Sequence, residues 1–502
     1  MSHSKDDALQ ADVVVVGAGN AALCAALSAR ESGARVIVLE SAPQEEAGGN
    51  SRFTAGAMRF VYRGAADLQR IAPDLGAQEL AQTDFGQYTQ EQFFDDMFKV
   101  TRYRTDPQLV DLLVRGSFDA VDWLRSRGIR FVPRYGHQAT KVGDRFKFWG
   151  GLTMEVVGGG PGLVDGLMKA AAQSGITVHF ATRAVSLLMD GVHVRGVRAR
   201  QGDRMLDIRA GAVVLAAGGF QANTEWRTRY LGPGWEFAKI RGSRFNNGDG
   251  IRMALEIGAS SHGHWSGCHA VGWDRNAPEH GDLAVGDGFQ KHSYPLGIMV
   301  NADGERFVDE GFDFHNYTYA KYGEVVLRQP GQFAWQVFDS KVTSMLRAEY
   351  RIKEATRVKA DSLEELAGRL EGVNATRFLE TVASYNRSVM TERPFDPHVR
   401  DGRATRGLAV PKSNWANPIV QPPFEAYAVT CGITFTYGGL RIDSTGQVLD
   451  MNHVPIPGLF AAGEMVGGLF YFNYPGGTGL TAGAVFGRLA GRSSAAMSKA
   501  LA

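Results

Sequence analysis

Hydrophobic and polar positions along the chain predict strands that alternate with helices at both ends. The apolar run Asp12–Val16 predicts a buried strand, and an alanine- and leucine-rich helix follows the turn after it. Val36–Leu39 predicts a second strand, and Gly458–Glu464 predicts another near the C-terminus. This alternation is typical of α/β folds with a parallel sheet. We therefore expect an α/β protein with a Rossmann-like domain whose two parts come from opposite ends of the chain.

The other predicted elements are apolar runs at helical or strand spacing, several of them bounded by glycine. They are helices within residues 86–130, 163–172, 249–257, 363–370 and 375–390, a small antiparallel sheet from residues 178–180, 184–188 and 192–198, and a buried strand over residues 212–217. The stretch 394–423, rich in Pro, Arg and Asn, is expected to be a linker or a surface excursion.

The turn after the first strand carries a dinucleotide motif of the form G-x-G-x-x-A, from Gly17 to Ala22. Gly17 permits the tight turn, Gly19 lets the backbone approach a pyrophosphate, and the helix N-terminus attracts the phosphates. Glu40 follows about twenty residues later, where a carboxylate can bind ribose hydroxyls. A structural strand–helix turn is the alternative. The segments at both ends of the chain are predicted to hold the same ligand. We therefore expect a resident FAD rather than a nicotinamide cofactor that exchanges.

The expected cofactor contacts lie in glycine-rich and small-residue segments. They are Gly17, Ala18, Gly19, Asn20, Ala21, Glu40, Ser41, Gly48, Gly49, Asn50, Ser51, Ala55, Gly56, Ala184, Ala217, Gly218, Asp249, Gly463, Glu464, Gly479 and Leu480. A helix from about Ala482 would stabilise negative charge on the reduced flavin if its N-terminus points at the flavin pyrimidine. An ordinary glycine-rich turn is the alternative.

Composition and charge narrow the class of protein. Of 502 residues, 44% are hydrophobic and the net charge is +1, so nothing indicates binding to nucleic acid or to an anionic membrane. The three cysteines, Cys24, Cys268 and Cys431, are too few and too scattered for a disulfide framework or a metal cluster. We expect a cytoplasmic protein without direct membrane insertion, since no signal segment precedes the first strand.

The domain organisation follows from where the dinucleotide-type motifs stop. From about residue 263 to residue 438 they are absent, and His, Trp, Tyr and Phe become frequent. We expect a disordered tail over residues 1–10, an FAD-binding domain over 11–262 and 428–502, and an inserted α+β capping domain over 263–427.

A set of segments, taken in order, resembles the fumarate reductase/succinate dehydrogenase flavoprotein family. They are Gly17–Ala22, Glu40, Gly48–Ser51, Ala216–Gly219, Gly248–Gly250, Asn301–Glu310, Gly438–Asp443 and Gly458–Glu464. Within the family, residues 290–295, 316–322 and 473–477 look most similar to tricarballylate dehydrogenases. The resemblance implies a mobile cap that holds substrate against the flavin, and hydride transfer between flavin N5 and a carbon beside a carboxylate-bearing carbon.

Three positions at which the chain departs from the family pattern suggest how it binds flavin and transfers a proton. Arg52 stands where some relatives carry a histidine linked to FAD, so we expect non-covalent FAD. His315 stands near the place of the arginine that donates the proton in fumarate reductases, and Tyr317 or Tyr319 could relay it; a structural histidine is the alternative. Tyr474 replaces the arginine that clamps a substrate carboxylate, which makes it a candidate catalytic hydroxyl.

The candidate substrate-binding residues are His269, His292, Arg145, Lys147 and Gly477. Arginine suits a bidentate grip on a carboxylate. For His269 a position in the core is the alternative, and for Arg145 and Lys147 a solvated loop is the alternative.

These patterns predict an FAD-dependent dehydrogenase or reductase that forms or reduces a carbon–carbon double bond beside a carboxylate or carbonyl group, with a tricarballylate-like polycarboxylate preferred. A ketosteroid-type flavin dehydrogenase and a non-catalytic flavin sensor are the alternatives. The chain has no second nicotinamide motif, haem-attachment motif or iron–sulfur cysteine cluster, so we expect a separate electron acceptor, for which a membrane or iron–sulfur protein is a candidate.

Overall fold

A computed structural model describes residues 9–148 and 150–500, apart from the side chains of residues 137, 140 and 142. The expected N-terminal tail lies almost entirely outside the described residues. The chain divides into two compact units. The first unit comprises Met1–Leu231, Gly242–Cys268 and Phe435–Ala502, and the second comprises Gly232–Arg241 and His269–Thr434. Residues 232–241, which the sequence grouped with the cofactor domain, are part of the second unit.

The strands, numbered in chain order, are β1 (Gln10–Val16), β2 (Val36–Leu39), β3 (Ala57–Met58), β4 (Thr83–Asp84), β5 (Phe131–Pro133), β6 (Ala139–Val142), β7 (Arg145–Phe148), β8 (Met154–Val156), β9 (Thr177–His179), β10 (Thr182–Asp190), β11 (His193–Gln201), β12 (Arg204–Leu215), β13 (Lys239–Ile240), β14 (Ser261–Asp274), β15 (Ile298–Val300), β16 (Ala334–Phe338), β17 (Arg357–Ala360), β18 (Phe424–Leu440), β19 (Gln447–Leu449) and β20 (Pro455–Ala461).

The α-helices are α1 (Asn20–Glu31), α2 (Ala65–Ile71), α3 (Ala77–Gln82), α4 (Gln90–Val100), α5 (Pro107–Ser126), α6 (Tyr135–Gln138), α7 (Gly159–Gln173), α8 (Thr224–Trp226), α9 (Asp249–Glu256), α10 (Tyr319–Leu327), α11 (Ser340–Thr343), α12 (Leu363–Arg369), α13 (Ala375–Ser388) and α14 (Thr478–Ala500).

The first unit is built on an eight-stranded sheet with a parallel centre. Strand β1 pairs in parallel with β2 and β12, and β12 pairs in parallel with β20. The strand order β2–β1–β12–β20 therefore brings a strand from the C-terminal end of the chain into the sheet of the N-terminal dinucleotide motif. The expected α/β fold with a split Rossmann-like domain is confirmed.

The expected small antiparallel sheet is only partly correct. Strands β10 and β11 form an antiparallel hairpin that continues onto β12. Strand β9, however, pairs in parallel with β2 at the edge of the main sheet. The prediction for β9 was wrong because the spacing of apolar residues does not show which strand a given strand pairs with. A strand next in sequence to a hairpin can instead join another sheet edge in parallel, as β9 does after helix α7.

Helices α1 and α14 pack so closely that only glycine fits at their contact. A Cβ atom at Gly487 would lie 2.5 Å from the carbonyl oxygen of Ala21, and one at Gly491 would lie 2.2 Å from that of Ala25. Gly483 continues this face one turn earlier, against Asn20. The two ends of the chain are thus joined by a helix pair, and both helices begin beside the same turn.

The second unit is built on a six-stranded sheet centred on β18. Strands β16 and β17 pair antiparallel with β18, and β15 pairs with β16. Helix α13 covers this sheet with Phe378, Val382 and Tyr385, all within one buried cluster. The stretch 394–423 is irregular, as expected, and two of its parts are linked by Trp415, whose indole N–H donates to the carbonyl oxygens of Asp396 and Val399.

Among the residues that the structure describes, no helix combines the length and the apolar character needed to cross a membrane. Within the same ranges, no three histidine, cysteine, aspartate or glutamate side chains lie close enough to hold a metal ion.

Candidate functional site

The first turn of the dinucleotide motif requires glycine at one position. Gly17 has φ of +106°, and a Cβ atom there would lie 2.4 Å from the carbonyl oxygen of Ala216. Its N–H donates to the carbonyl oxygen of Leu39 at 2.7 Å. The tight turn therefore ties β1 to β2 and directs the chain into α1.

Glu40 organises this turn from the end of β2. One carboxylate oxygen accepts from the N–H of Ala18 at 2.8 Å, and the other accepts from the N–H of Ala42 at 2.8 Å and from Ser41 Oγ at 3.3 Å. Burial raises the pKa of Glu40, and these hydrogen bonds oppose the shift. The Glu40 carboxylate therefore lies beside Ala18 of the dinucleotide motif, where the sequence analysis expects a contact with ribose hydroxyls.

The N-terminus of α1 has the features of a phosphate site. Its N-cap residue, Gly19, makes no side-chain capping bond, and the first turn carries no acidic residue. The N–H of Asn20 donates to Ser51 Oγ at 3.0 Å, which brings the Gly48–Ser51 segment to the same point. Uncapped N–H groups and the positive end of a helix attract an anion such as a pyrophosphate.

The start of α14 lies beside the same turn. Asn20 Nδ2 donates to the carbonyl oxygen of Leu480 at 2.8 Å. Thr478 is fully buried, and within the described part of the chain its Oγ1 has no hydrogen-bond partner. A Cβ atom at Gly479 would meet nothing within 4 Å. An orphaned buried hydroxyl next to open space fits a bound ligand, so the residues at both helix starts fit FAD.

Glu464 is the buried acid that follows β20. It accepts from the N–H of Thr436 at 2.8 Å, from Thr436 Oγ1 at 3.2 Å and from Gln221 Nε2 at 3.4 Å. Burial raises the pKa of Glu464 to about 7, against the effect of these hydrogen bonds. This carboxyl therefore changes charge near neutral pH beside Gly219, where a Cβ atom would lie 2.1 Å from its oxygen.

Other expected cofactor residues have partners within the first unit. Asn50 Oδ1 accepts from the N–H of Ser243 at 2.8 Å. Asp249, the first residue of α9, accepts two hydrogen bonds from Arg183, at 2.6 and 2.7 Å. Ala184 is buried on β10. Arg52 forms an ion pair with Asp165.

The remaining expected cofactor residues lie in the same turns. They are Ala21 in α1, Gly49 beside Ser51, Ala55 and Gly56 before β3, Ala217 and Gly218 after β12, and Gly463 after β20.

In the second unit, three histidines and a tyrosine form a compact ring cluster, which we name the histidine cluster. The Tyr319 ring lies edge-on to His269 and His292, with centroids 5.1 and 5.0 Å away, and 6.3 Å from His315. The rings of His292 and His315 are stacked at 6.2 Å. Sequence patterns had proposed all three histidines, from segments far apart in the chain, and the fold brings them together.

His292 is the least satisfied member of the cluster. Its side chain is 5% exposed, and among the described residues neither of its ring nitrogens has a hydrogen-bond partner. Burial, reinforced by the charges of Arg347 and Arg241, holds the pKa of His292 well below the usual value for histidine. The ring is therefore neutral at physiological pH, with one donor and one acceptor available.

Two arginines that the sequence analysis missed border the cluster. Arg347 Nη2 lies 2.8 Å from His315 Nε2. Arg241 is nearly buried and pairs with Asp287 at 2.6 Å, and its Nη1 donates to Thr434 Oγ1 at 3.0 Å. Neither arginine belongs to a recognisable motif, so only the folded structure could place them.

Tyr474 lies in an aromatic cage within the first unit. The rings of Phe435 and Phe470 meet the Tyr474 ring edge-on, with centroids 5.2 and 5.5 Å away. Tyr437 extends the cage from Phe435 at 5.4 Å. The cage surrounds the Tyr474 ring with apolar surface and aromatic edges.

The other candidates occupy less informative places. Arg145 and Lys147 are exposed on β7, in a small sheet of the first unit. Tyr317 ends the short 3₁₀ helix that starts at His315, but Tyr319 is the tyrosine whose ring faces all three histidines. The carbonyl oxygen of Gly477 accepts from the N–H of Arg59 at 3.2 Å, just before α14.

Comparison with known proteins agrees with this geometry. A family model described as an FAD binding domain matches residues 12–480. A probable fumarate reductase of Shewanella frigidimarina is 33% identical over 490 residues, which cover 96% of this chain and 74% of that protein. A 4-oxocyclohexanecarboxylate 2-dehydrogenase of Sinomonas cyclohexanicum is 28% identical, with 96% of this chain and 92% of that protein covered.

A solved structure agrees as well. The open conformation of a flavocytochrome c3 fumarate reductase superposes with a TM-score of 0.74 at 31% identity, and covers 98% of this chain and 79% of that one.

Proposed function

We propose a substrate and a proton path for this chain, which belongs to the FAD-binding family of fumarate reductase and succinate dehydrogenase flavoproteins. The expected family, the α/β fold and the FAD cofactor are confirmed, and the chain is an FAD-dependent oxidoreductase of CH–CH bonds. It acts on carbon–carbon bonds of carboxylate-like substrates. We propose a small polycarboxylate of the tricarballylate type as its preferred substrate.

The proposal rests on one observation: the buried ring of His292 has no hydrogen-bond partner for either nitrogen among the described residues. A buried side chain with two unpaired ring nitrogens costs about 1–3 kcal/mol for each unsatisfied group, unless a ligand supplies the partner. The ring is buried beside two positive charges, those of Arg347 and Arg241. A carboxylate satisfies both features, because it accepts the imidazole N–H and complements the cations. We therefore assign the histidine cluster to binding of substrate carboxylates.

The proton is assigned to His315. FAD, when bound, supplies the hydride acceptor or donor. His315 takes the proton from the neighbouring carbon when a CH–CH bond is oxidised, and returns it when a double bond is reduced. The ring suits this exchange because the ordinary pKa of histidine lies near neutrality. Tyr319, which packs against His292 and His269, orients the rings.

Preference for a polycarboxylate is supported by the number of donors around the cluster. The neutral ring of His292 offers one N–H, and the guanidinium of Arg347 beside His315 suits a bidentate grip on a further carboxylate. The electron acceptor is proposed to be a separate molecule.

Anaerobic titration of the yellow protein tests the substrate. Tricarballylate is expected to bleach the flavin absorbance near 450 nm, and a chemically reduced protein is expected to be reoxidised by aconitate, its unsaturated counterpart. His292→Ala is expected to raise the KM for the acid by at least about tenfold, the cost of one charge-assisted hydrogen bond. His398→Ala is the matched control, because it removes an exposed histidine of the same unit. Unchanged kinetics in the His292 variant would refute the assignment.

A ketone substrate is the second candidate, because the ring of Tyr474, which carries a hydroxyl, packs against the aromatic rings of the cage. A hydroxyl among apolar rings fits a cyclic ketone, whose oxygen accepts a hydrogen bond. Tyr474→Phe keeps the ring and removes the hydroxyl. It is expected to abolish bleaching by cyclic ketones and to leave bleaching by tricarballylate within about twofold. Bleaching by a 3-ketosteroid but not by any acid would establish the second candidate instead.

FAD attachment is proposed to be non-covalent. Arg52, at the position expected for a linking histidine, is held by Asp165 and has no ring nitrogen to bond to the flavin. Acid precipitation of the protein is expected to leave all flavin in the supernatant. A yellow, fluorescent pellet would contradict the proposal.

A further inference from the structure

We infer that Arg347 couples carboxylate binding to the basicity of His315, so that the substrate itself releases the base that acts on it. This inference rests on the proposed function, because it deepens the role given to His315. It starts from the contact between Arg347 Nη2 and His315, 2.8 Å from Nε2 and 3.5 Å from Nδ1.

The contact places a positive charge against the His315 ring. Because the single atom Arg347 Nη2 lies close to both ring nitrogens, the guanidinium contacts the face of the imidazole, outside the ring plane in which the nitrogen lone pairs point. A second positive charge at this distance is unfavourable, so the contact favours the neutral form of His315. Protonation of either ring nitrogen would set two positive charges against each other.

The backbone of Arg347 is held by buried polar groups. Its N–H donates to Ser293 Oγ at 3.1 Å, and the N–H of Ser293 donates to Tyr350 Oη at 2.8 Å. Tyr350 donates in turn to Gln336, whose Nε2 donates to the carbonyl oxygen of Lys291 at 3.0 Å. The network thus joins the Arg347 loop to both residues that flank His292.

A carboxylate changes this balance. Arginine binds a carboxylate through two parallel charge-assisted hydrogen bonds, which are stronger than one bond to a neutral imidazole. A substrate carboxylate that binds at the histidine cluster draws the guanidinium from the face of the His315 ring and neutralises its charge. The ring then takes up the substrate proton without this repulsion, so His315 becomes a stronger base when an acid to be oxidised is bound.

The other groups around His315 set the background for its titration. From the segment after Lys291 comes His292, and from α10 comes Tyr319. Arg347 lies two residues before Glu349, and burial raises the pKa of Glu349. The positive charge of Arg347 also acts on Tyr294. Uptake of protons by His292 or His269 is the competing source of any signal.

Proton uptake on ligand binding tests the coupling. Malonate is the probe, because a single carbon between its carboxylates cannot form a carbon–carbon double bond. Calorimetric titration of the FAD-loaded protein at pH 7.5, in buffers of different ionisation enthalpy, gives the protons taken up per malonate. We expect net uptake by the wild type, its loss in His315→Gln with malonate still bound, and a fall of about half or more in Arg347→Gln.

Each outcome decides the inference. Arg347→Lys, which keeps the charge, is expected to retain part of the uptake, and flavin absorbance shows whether each variant is folded. Uptake that persists in His315→Gln, or is unchanged in Arg347→Gln, overturns the coupling. Binding of malonate by the wild type without proton uptake overturns it and leaves the carboxylate site intact. No binding of malonate at all refutes the proposed function, and the coupling with it.

Discussion

Asn20 Nδ2 donates to the carbonyl oxygen of Leu480 at 2.8 Å, across 460 positions of sequence. The bond joins the first residue of α1 to the first turn of α14, so the N-terminal dinucleotide motif and the C-terminal helix meet at one point. The same asparagine accepts a weak bond from Cys24 Sγ through its Oδ1. One side chain therefore holds both halves of the cofactor site in register.

Asn20→Ala is expected to weaken FAD binding by about fivefold and to lower the free energy of unfolding by about 1 kcal/mol, because the carbonyl of Leu480 loses its partner. Flavin fluorescence titration and urea unfolding measure the two effects. Asn452→Ala, in an exposed turn, is the control and is expected to change neither. If both variants bind FAD alike, the bond does not organise the site.

Gly487→Val is expected to prevent correct docking of α14 on α1. Its Cβ would lie 2.5 Å from the carbonyl oxygen of Ala21, which is backbone and cannot move aside. We expect insoluble or flavin-free protein, judged by the ratio of absorbance at 450 and 280 nm. Gly368→Ala, in α12 with no atom within 4 Å, is expected to be neutral or to stabilise by about 0.5 kcal/mol. Normal flavin content in the Gly487 variant would refute this packing.

The cofactor half of the site could be predicted from sequence because its signals are local. The Gly17 turn and the acid at Glu40 follow from a short motif whose geometry recurs in many folds. The contact between Gly487 and Ala21 could not be found in this way, since glycines four residues apart do not name the helix that they face. A search for small residues at that spacing would have indicated a close helix contact.

The second unit could be predicted less well. His269, His292 and His315 were proposed from resemblance, and the fold places their rings around Tyr319. Arg347, which contacts His315, lies in a loop without any motif, and long-range side-chain contacts leave no local pattern in the sequence. The same holds for the direction of β9, which depends on its neighbour in the sheet.

Stability is expected to depend on pH through Glu464. Its pKa in the folded protein, about 7, lies above the unfolded value of about 4.3, so the folded state binds the proton more tightly. Its contribution is therefore complete below about pH 4.3 and is lost as pH rises through about 7. Over that range the loss is at most about 4 kcal/mol.

Glu464→Gln, which mimics the protonated acid, is expected to flatten this dependence. Urea unfolding of the flavin-free protein between pH 5 and 8 gives the slope. Glu225→Gln, at an exposed helix position, serves as the control. A wild-type stability that rises over this interval, or equal slopes in wild type and the Glu464 variant, would contradict the assignment.

The last prediction concerns the ion pair between Arg306 and Glu310 in the second unit. The two side chains are 4% and 0% exposed and lie 2.5 Å apart, and Glu310 also accepts from the N–H of Met299 at 2.8 Å. Arg306 Nη1 donates to the carbonyl oxygen of Val410 at 2.8 Å, so the pair anchors the irregular stretch 394–423. Glu310→Gln leaves a buried guanidinium without its counter-charge and is expected to cost about 3–5 kcal/mol of unfolding free energy.

Glu365→Gln breaks an exposed pair of the same spacing, with Arg369, and is expected to cost about 0.5 kcal/mol or less. The comparison isolates burial, because both pairs join a glutamate and an arginine four positions apart at 2.5 Å. Urea unfolding followed by tryptophan fluorescence reports on the affected stretch, since Trp415 lies within it. An equal loss of unfolding free energy in the two variants would mean that the buried ion pair stabilises the protein no more than an exposed one does. Other groups would then hold residues 394–423 in place.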